Sequence, residues 1–275
     1  MNRVWMHWNK KTARHCPLVK LRRRTPQKGC EVFDKNKFRP LSNCLSSDTV
    51  LSPDDYPAPM TPDRTEEIVA FHKIQKDKIE ARLADFRQIW SEGSDRDLFA
   101  ELAFCILTPQ SRARTCWPAV ERLREGDLLF VGTADEILDE LQSVRFKERK
   151  ASYIVYAREQ FTKDGRLSIR DTLEGFCDPF ALREWLVENV KGLGYKESGH
   201  FLRNIGLGED LAILDRHILK NLVLLGVIDE IPKSLTKKRY LEIERRMIAF
   251  SRETEIPMGH LDMVLWSKET GEIFK

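Results

Sequence analysis

Lys196 follows two closely spaced glycines, Gly192 and Gly194, in the stretch 191-KGLGYKESGHFLRNIG-206, and Asp215 lies nineteen residues further on in 211-LAILDRHILKNLVLLG-226. An amine, a carboxylate and a bare backbone turn can divide one task among them. A partly neutral amine can attack an electrophilic carbon. A carboxylate can balance positive charge developing on the attacked group and assist proton transfers. A turn without side chains, tolerant of positive φ, can present backbone N–H groups to a phosphate without reading sequence. Lys196 falls in the predicted first turn of a helix, where the macrodipole disfavours a cation by a few tenths to about 1 kcal/mol. That end of a helix, if half-buried, favours a neutral amine. The position is poor for a structural lysine and suits a nucleophile.

Each residue also has a plainer role. The G-x-G step fits an ordinary turn between two helices. Lys196 fits a solvated cation beside a phosphate. Asp215 fits the N-cap of the apolar helix that follows it. Capping uses one carboxylate oxygen, so the second stays available to a substrate. His217 is read as a structural partner rather than a catalytic group.

The elements that must position these residues are helical. Apolar residues at 68, 71, 74, 79, 83, 86 and 90 predict a helix over 64–90. The next runs from Asp95, read as its N-cap, to a stop at Pro109. Further helices are predicted at 111–125, 133–141, 146–162, 178–190, 196–206, 215–226, 236–251 and 256–267, with no evident strands. Leu182, Trp185, Leu186 and Val190 should point inward from the helix before the G-x-G turn. The pair then forms a helix–hairpin–helix inside an all-α domain spanning 63–275.

Residues 1–62 differ in character. They hold 12 Lys+Arg against 5 Asp+Glu, leaving 34 against 38 for the rest of the 275 residues. They lack helical periodicity, end in 52-SPDDYPAPMTPD-63, and are expected to be a mostly irregular basic extension. The body is not basic overall, so a nucleic-acid footprint must be local. Cys16, Cys30 and Cys44 with His7 and His15 match no compact zinc-ligand spacing, and no metal is expected. The six cysteines form no CxxC pair and are read as reduced thiols of a cytosol. No apolar run has the length of a membrane span, and the basic N-terminus lacks the apolar stretch of a secretory signal.

Taken together, the K-G-L-G-Y-K hairpin and the L-D-R-H-I that follows resemble the helix–hairpin–helix DNA glycosylases. The match is closest to the type 2, archaeal-type 8-oxoguanine DNA glycosylase/AP lyases, over about 66–275. Support comes from 102-LAFCILTPQSRA-113, 144-VRFKERKASYI-154 and 256-IPMGHLDMVLWSKETGEIFK-275. The resemblance implies a two-lobed helical fold acting on double-stranded DNA as a monomer in a prokaryotic cytoplasm. The damaged nucleotide would be flipped into a pocket between the lobes. It implies that Lys196 attacks the sugar C1′, that Asp215 is the essential carboxylate, and that Gly192 and Gly194 hold a DNA phosphate. No organic cofactor is required, since the lysine Schiff base is itself the electron sink. No cysteine lies beyond Cys177, so the C-terminal iron–sulfur cluster of some related repair enzymes is absent.

Weaker expectations attach to other segments. Gln110 would hydrogen-bond the orphaned cytosine, or else belong to a capping turn. Trp266 would stack on the flipped base, or else sit in the core. Arg145, Lys147, Arg149 and Lys150 make a basic patch for phosphate contacts, or a solvated face. Lys275, the final residue, would recognise the oxidised base where composition alone suggests a frayed end. The competing functions are a glycosylase for another lesion and a non-catalytic helix–hairpin–helix DNA-binding module. A binding module needs the glycines but neither Lys196 nor Asp215.

Overall fold

The computed structural model describes residues 62–273, so the extension up to residue 61, its cysteines and histidines, and Lys275 lie outside the described residues. Within them the chain is almost wholly helical, as expected. The first helix, α1 (Pro62–Glu92), has 31 residues, about 46 Å at 1.5 Å per residue. Its buried stripe runs through Ile68, His72, Ile79, Leu83 and Phe86. Ile74, counted into that face from sequence, is instead 74% exposed. A period of 3.6 carries the stripe from 68 to 72 rather than to 74, so a histidine fills the place assigned to an isoleucine.

Helix α2 (Asp95–Leu107) is buried all round from Leu98 to Leu107. Its N-cap is Ser94 rather than Asp95, closed by a capping box in which the Asp97 carboxylate accepts from Ser94 N at 2.8 Å. The Asp95 carboxylate accepts instead from Arg170 N, at the start of the short helix α7 (Ile169–Leu173). Between them lie α3 (Ala113–Glu125), α4 (Leu128–Val131), α5 (Ala134–Glu140) and α6 (Lys147–Gln160). A short hairpin follows, β1 (Thr162–Lys163) paired antiparallel with β2 (Arg166–Leu167). It corrects the expectation of no strands. Its turn residues Asp164 and Gly165 both have positive φ, and a D-G step is a strong short-range hairpin signal. The remaining helices are α8 (Pro179–Asn189), α9 (Tyr195–Asn204), α10 (Arg216–Leu224), α11 (Lys237–Thr254) and α12 (Met258–Thr270).

Two apolar cores organise these helices. One gathers α2 to α9, from Leu98 through Leu202 to Leu211. The other gathers α1 with α10, α11 and α12, from Ile68 and Phe86 to Val264 and Leu265. The first helix and the last three thus share a lobe, and the middle of the chain forms the second. The chain passes back between cores at one step, since Leu211 belongs to the first and Ala212 to the second. Asp215 lies three residues beyond that crossing. Among the described residues no helix is long and apolar enough to cross a membrane.

Candidate active site

The hairpin forms as predicted, with Leu182, Leu186 and Val190 buried and Trp185 half-buried. Asp178 caps α8, accepting from Phe180 N and Ala181 N ahead of Pro179 at the first helical position. The two glycines do different work. Gly192 has φ +90, and a Cβ there would lie 2.7 Å from Tyr153 Cδ2. Gly194 is the N-cap of α9 with an extended φ of −97, so it does not use the left-handed region that both glycines were expected to permit. Its N–H donates to the Glu197 carboxylate at 3.2 Å. Lys196, half-buried, is the second residue of α9. First-turn N–H groups have no acceptor inside the helix, so the hairpin offers donors beside the lysine.

Asp215 caps α10, as expected. Both capping bonds, from His217 N and Ile218 N, end on Oδ1 at 2.8 Å. That division leaves Oδ2 for another partner. His217 pairs with Glu269 at 3.8 Å, in keeping with a structural role.

Asp262 on α12 feels the charges of both Lys196 and Asp215. Burial pushes the Asp262 carboxyl up to about 6, with Arg203 opposing that rise, Asp215 adding to it and Lys196 opposing it. Arg203 Nη1 donates to Asp262 Oδ2 at 2.5 Å, with both side chains buried. Arg203 continues through Asn204 to Glu101 on α2. A buried ion pair of this kind is costly to break on one side, since the survivor is left uncompensated. It joins the helix of Lys196 to the helix of Trp266. The thiols of Cys105 and Cys116, both buried, also feel Lys196, and burial pushes Cys116 up to about 11. They are poor nucleophiles in that state.

Gln110 is exposed with φ +56 at the turn from α2 to α3. Sequence reasoning missed what holds it there. Lys150 Nζ donates to the carbonyls of Leu107 and Pro109 at 2.7 Å each and to Ser111 Oγ at 3.1 Å. Lys150 is therefore a buried anchor and not part of a phosphate-binding patch, which corrects its assignment. Its neighbours Arg145 and Arg149 are exposed and Lys147 half-buried. Ser111 Oγ also accepts from Arg145 N at 3.0 Å. That bond ties the Gln110 turn to the start of α6, where Phe146 is 54% exposed with φ +57. A bulky residue held at positive φ and in solvent is unusual, and sequence pattern alone carried no sign of it beyond an aromatic residue among cations.

Trp266 packs half-buried against the second core. Gly271, at φ +78, ends α12 and turns the chain. Glu272 then pairs with Arg114 of α3, and Ile273 packs on the second core. The segment leading to Lys275 is thus held at both lobes. Ile273 also lines a groove of about 710 Å³ between α1 and the end of α12, with Phe71, Lys78 and Arg82. Neither Lys196 nor Asp215 lines that groove. Among the described residues no group of three His, Cys, Asp or Glu side chains is placed to hold a metal.

Comparison with known proteins agrees with this fold. Residues 79–256 match the family model described as 8-oxoguanine DNA glycosylase. An 8-oxoguanine DNA glycosylase/AP lyase of Fusobacterium nucleatum is 48% identical over 209 residues, covering 76% of this chain and 96% of that protein. The protein of that name from Methanocaldococcus jannaschii is 38% identical over 202 residues, covering 73% and 93%. The crystal structure of the Methanocaldococcus jannaschii 8-oxoguanine glycosylase/lyase in complex with a 15mer DNA containing 8-oxoguanine superposes with a TM-score of 0.70 at 35% identity, covering 78% of this chain and 100% of that one. The 8-oxoguanine DNA glycosylase of Thermotoga maritima gives 0.69 at 34% identity, covering 78% and 99%. Hairpin, crossing and coverage together place this chain in the family of 8-oxoguanine DNA glycosylase/AP lyases built on the helix–hairpin–helix fold.

Proposed function

We propose that this protein excises 8-oxoguanine from duplex DNA and nicks the abasic site it creates, with Lys196 as nucleophile and Asp215 as the carboxylate serving it. The Lys196 lone pair attacks C1′ of the flipped nucleotide. The bond from C1′ to base N9 breaks, and the base leaves with the bonding pair and takes up a proton. The amine loses one proton, its lone pair forms C1′=N as the C1′–O4′ bond breaks, and O4′ takes up a proton, which gives a protonated Schiff base. A proton then leaves C2′, electrons flow toward the iminium, and the C3′–O bond breaks by β-elimination. Asp215 Oδ2 faces the positive charge that develops in the first step.

The observation that carries this reading is the geometry of Asp215, whose Oδ1 takes both capping bonds and leaves Oδ2 for a substrate, beside a hairpin that sets Lys196, half-buried, in the first turn of α9. In the same reading Gly192 and Gly194 clamp a phosphate, Gln110 meets the orphaned cytosine with Phe146 beside it, and Trp266 covers the flipped base. Lys275 approaches the N7 edge of that base. One chain supplies every group, so a monomer in the prokaryotic cytoplasm suffices.

Borohydride trapping tests it on duplexes carrying 8-oxoguanine or other lesions. The native protein should form its adduct best with 8-oxoguanine. Lys196→Gln should bind the same duplex yet give neither adduct nor free base. An adduct formed by Lys196→Gln would move the nucleophile elsewhere, and preferential trapping on another lesion would change the substrate.

A further inference from the structure

Asp215 is useful only if Oδ2 is held in a fixed relation to the Lys196 amine. The peptide delivering it, Ala212–Leu214, is not helical, so its position must come from outside itself. One side chain on α11 supplies much of it. Tyr240 Oη donates to Ala212 O at 2.6 Å and accepts from Leu214 N at 3.3 Å. One turn on, Glu244 Oε1 accepts from Ala212 N at 2.9 Å. Glu244 is in turn held by Arg183 of α8 in a buried two-pronged pair, one bond of which is 2.7 Å. The Tyr240 ring meets Tyr195, the residue before Lys196, at 5.2 Å between centroids. The Arg183 guanidinium lies over both rings, 5.3 Å from Tyr195 and 5.5 Å from Tyr240.

We infer that Tyr240 is a positioning residue, which sets Asp215 against Lys196 by gripping the Ala212–Leu214 backbone with its hydroxyl and the first turn of α9 with its ring. The inference rests on the assignment of Lys196 and Asp215 made above. Tyr240 is 2% exposed, and burial pushes its phenol far up, so the hydroxyl stays a donor at any working pH. Its oxygen both donates and accepts here, and no other side chain of that size could do so while filling the core.

The test is a double-mutant cycle read in single-turnover base release. Tyr240→Phe keeps the ring and removes the grip on Ala212 and Leu214. Base release should slow roughly 10- to 100-fold, as for small misplacements at a reacting centre, while the Kd for lesion-containing duplex stays within about twofold. In the Asp215→Asn background the same substitution should cost less than about threefold, because the group it positions is already lost. A merely structural role would instead cost the same factor in both backgrounds, and that result overturns the inference. So does a Tyr240→Phe protein within twofold of the native rate. If Tyr240→Phe fails to fold, Glu244→Gln, which weakens the bond from Ala212 N, carries the same cycle with the same expectation. A near-native rate for Asp215→Asn alone would overturn the underlying assignment, and the inference with it. A slow Asp215→Asn with equal, multiplicative losses would overturn only the inference.

Discussion

Lys150 Nζ lies 2.7 Å from the carbonyl oxygen of Pro109, the residue that precedes Gln110. The ammonium closes the C-terminal end of α2 through Leu107 O as well, where a cation complements the helix dipole. Burial pulls the Lys150 amine below its ordinary value, yet three acceptors surround it. Lys150→Met should therefore lower thermal stability, by about 2 kcal/mol for the carbonyls left without a donor. It should not change the dependence of DNA affinity on salt. Arg149→Met should do the reverse, leaving stability alone and reducing the salt slope by about 0.9 if that cation neutralises one phosphate. Thermal melts and binding titrations at several salt concentrations check both, and a reduced slope for Lys150→Met would return it to the phosphate patch.

The two hairpin glycines should separate on substitution. Gly192→Ala places a Cβ at φ +90 and 2.7 Å from the Tyr153 ring, a strain of roughly 1–2 kcal/mol before the ring moves. Gly194→Ala keeps φ −97 and meets only the Glu197 carboxylate at 3.1 Å, which can swing aside. Gly192→Ala should melt lower and bind undamaged and damaged duplex equally less well, since the clamp reads no base. Equal melting temperatures for the two variants would deny Gly192 its special conformation.

Acid should loosen the contact between α1 and α12. His260 Nε2 lies 3.1 Å from Glu80 Oε1 and its Nδ1 3.0 Å from His72 Nε2. Glu80 can only accept, so His260 donates to it and accepts from His72. Burial holds both imidazoles below their ordinary value; His260 lowers His72 further, Lys76 lowers both, Glu80 acts against this on both and Glu209 on His260. A depressed folded-state value means the unfolded chain takes up the proton more readily. The stability this pair contributes is then present above about pH 6.5 and is lost as pH falls below it. His72→Gln should therefore show a smaller fall in melting temperature between pH 7.5 and 5 than the native chain. Parallel pH curves would show that the pair does not titrate with unfolding.

The C-terminal end should decide base choice more than strand cleavage. Guanine N7 is an acceptor, whereas 8-oxoguanine carries a proton there, and a carboxylate can only accept. The Glu272–Arg114 pair and the packing of Ile273 hold the chain as far as residue 273. Deleting Lys275, or adding two residues after it, should erode preference for 8-oxoguanine over guanine more than cleavage at a preformed abasic site. Unchanged preference, with both activities measured on one protein, would leave Lys275 a frayed end.

What the sequence determined by itself was local. Helix periods, the G-x-G turn and the cap at Asp215 depend on residues within a turn or two of each other, and these were legible. Long-range partners were not. Lys150 reads as one more cation in R-F-K-E-R-K until α6 folds against the end of α2 and buries it. Ile74 reads as core until α1 takes its register from the opposing helices, which leaves His72 to meet His260, 188 residues away. Tyr240, Glu244 and Arg203 sit in amphipathic helices and Asp262 in one buried nearly all round, and nothing in their spacing marks them. Their roles arise when desolvation in a packed interior makes each buried charge or hydroxyl find a partner from another element, and only the tertiary structure decides which.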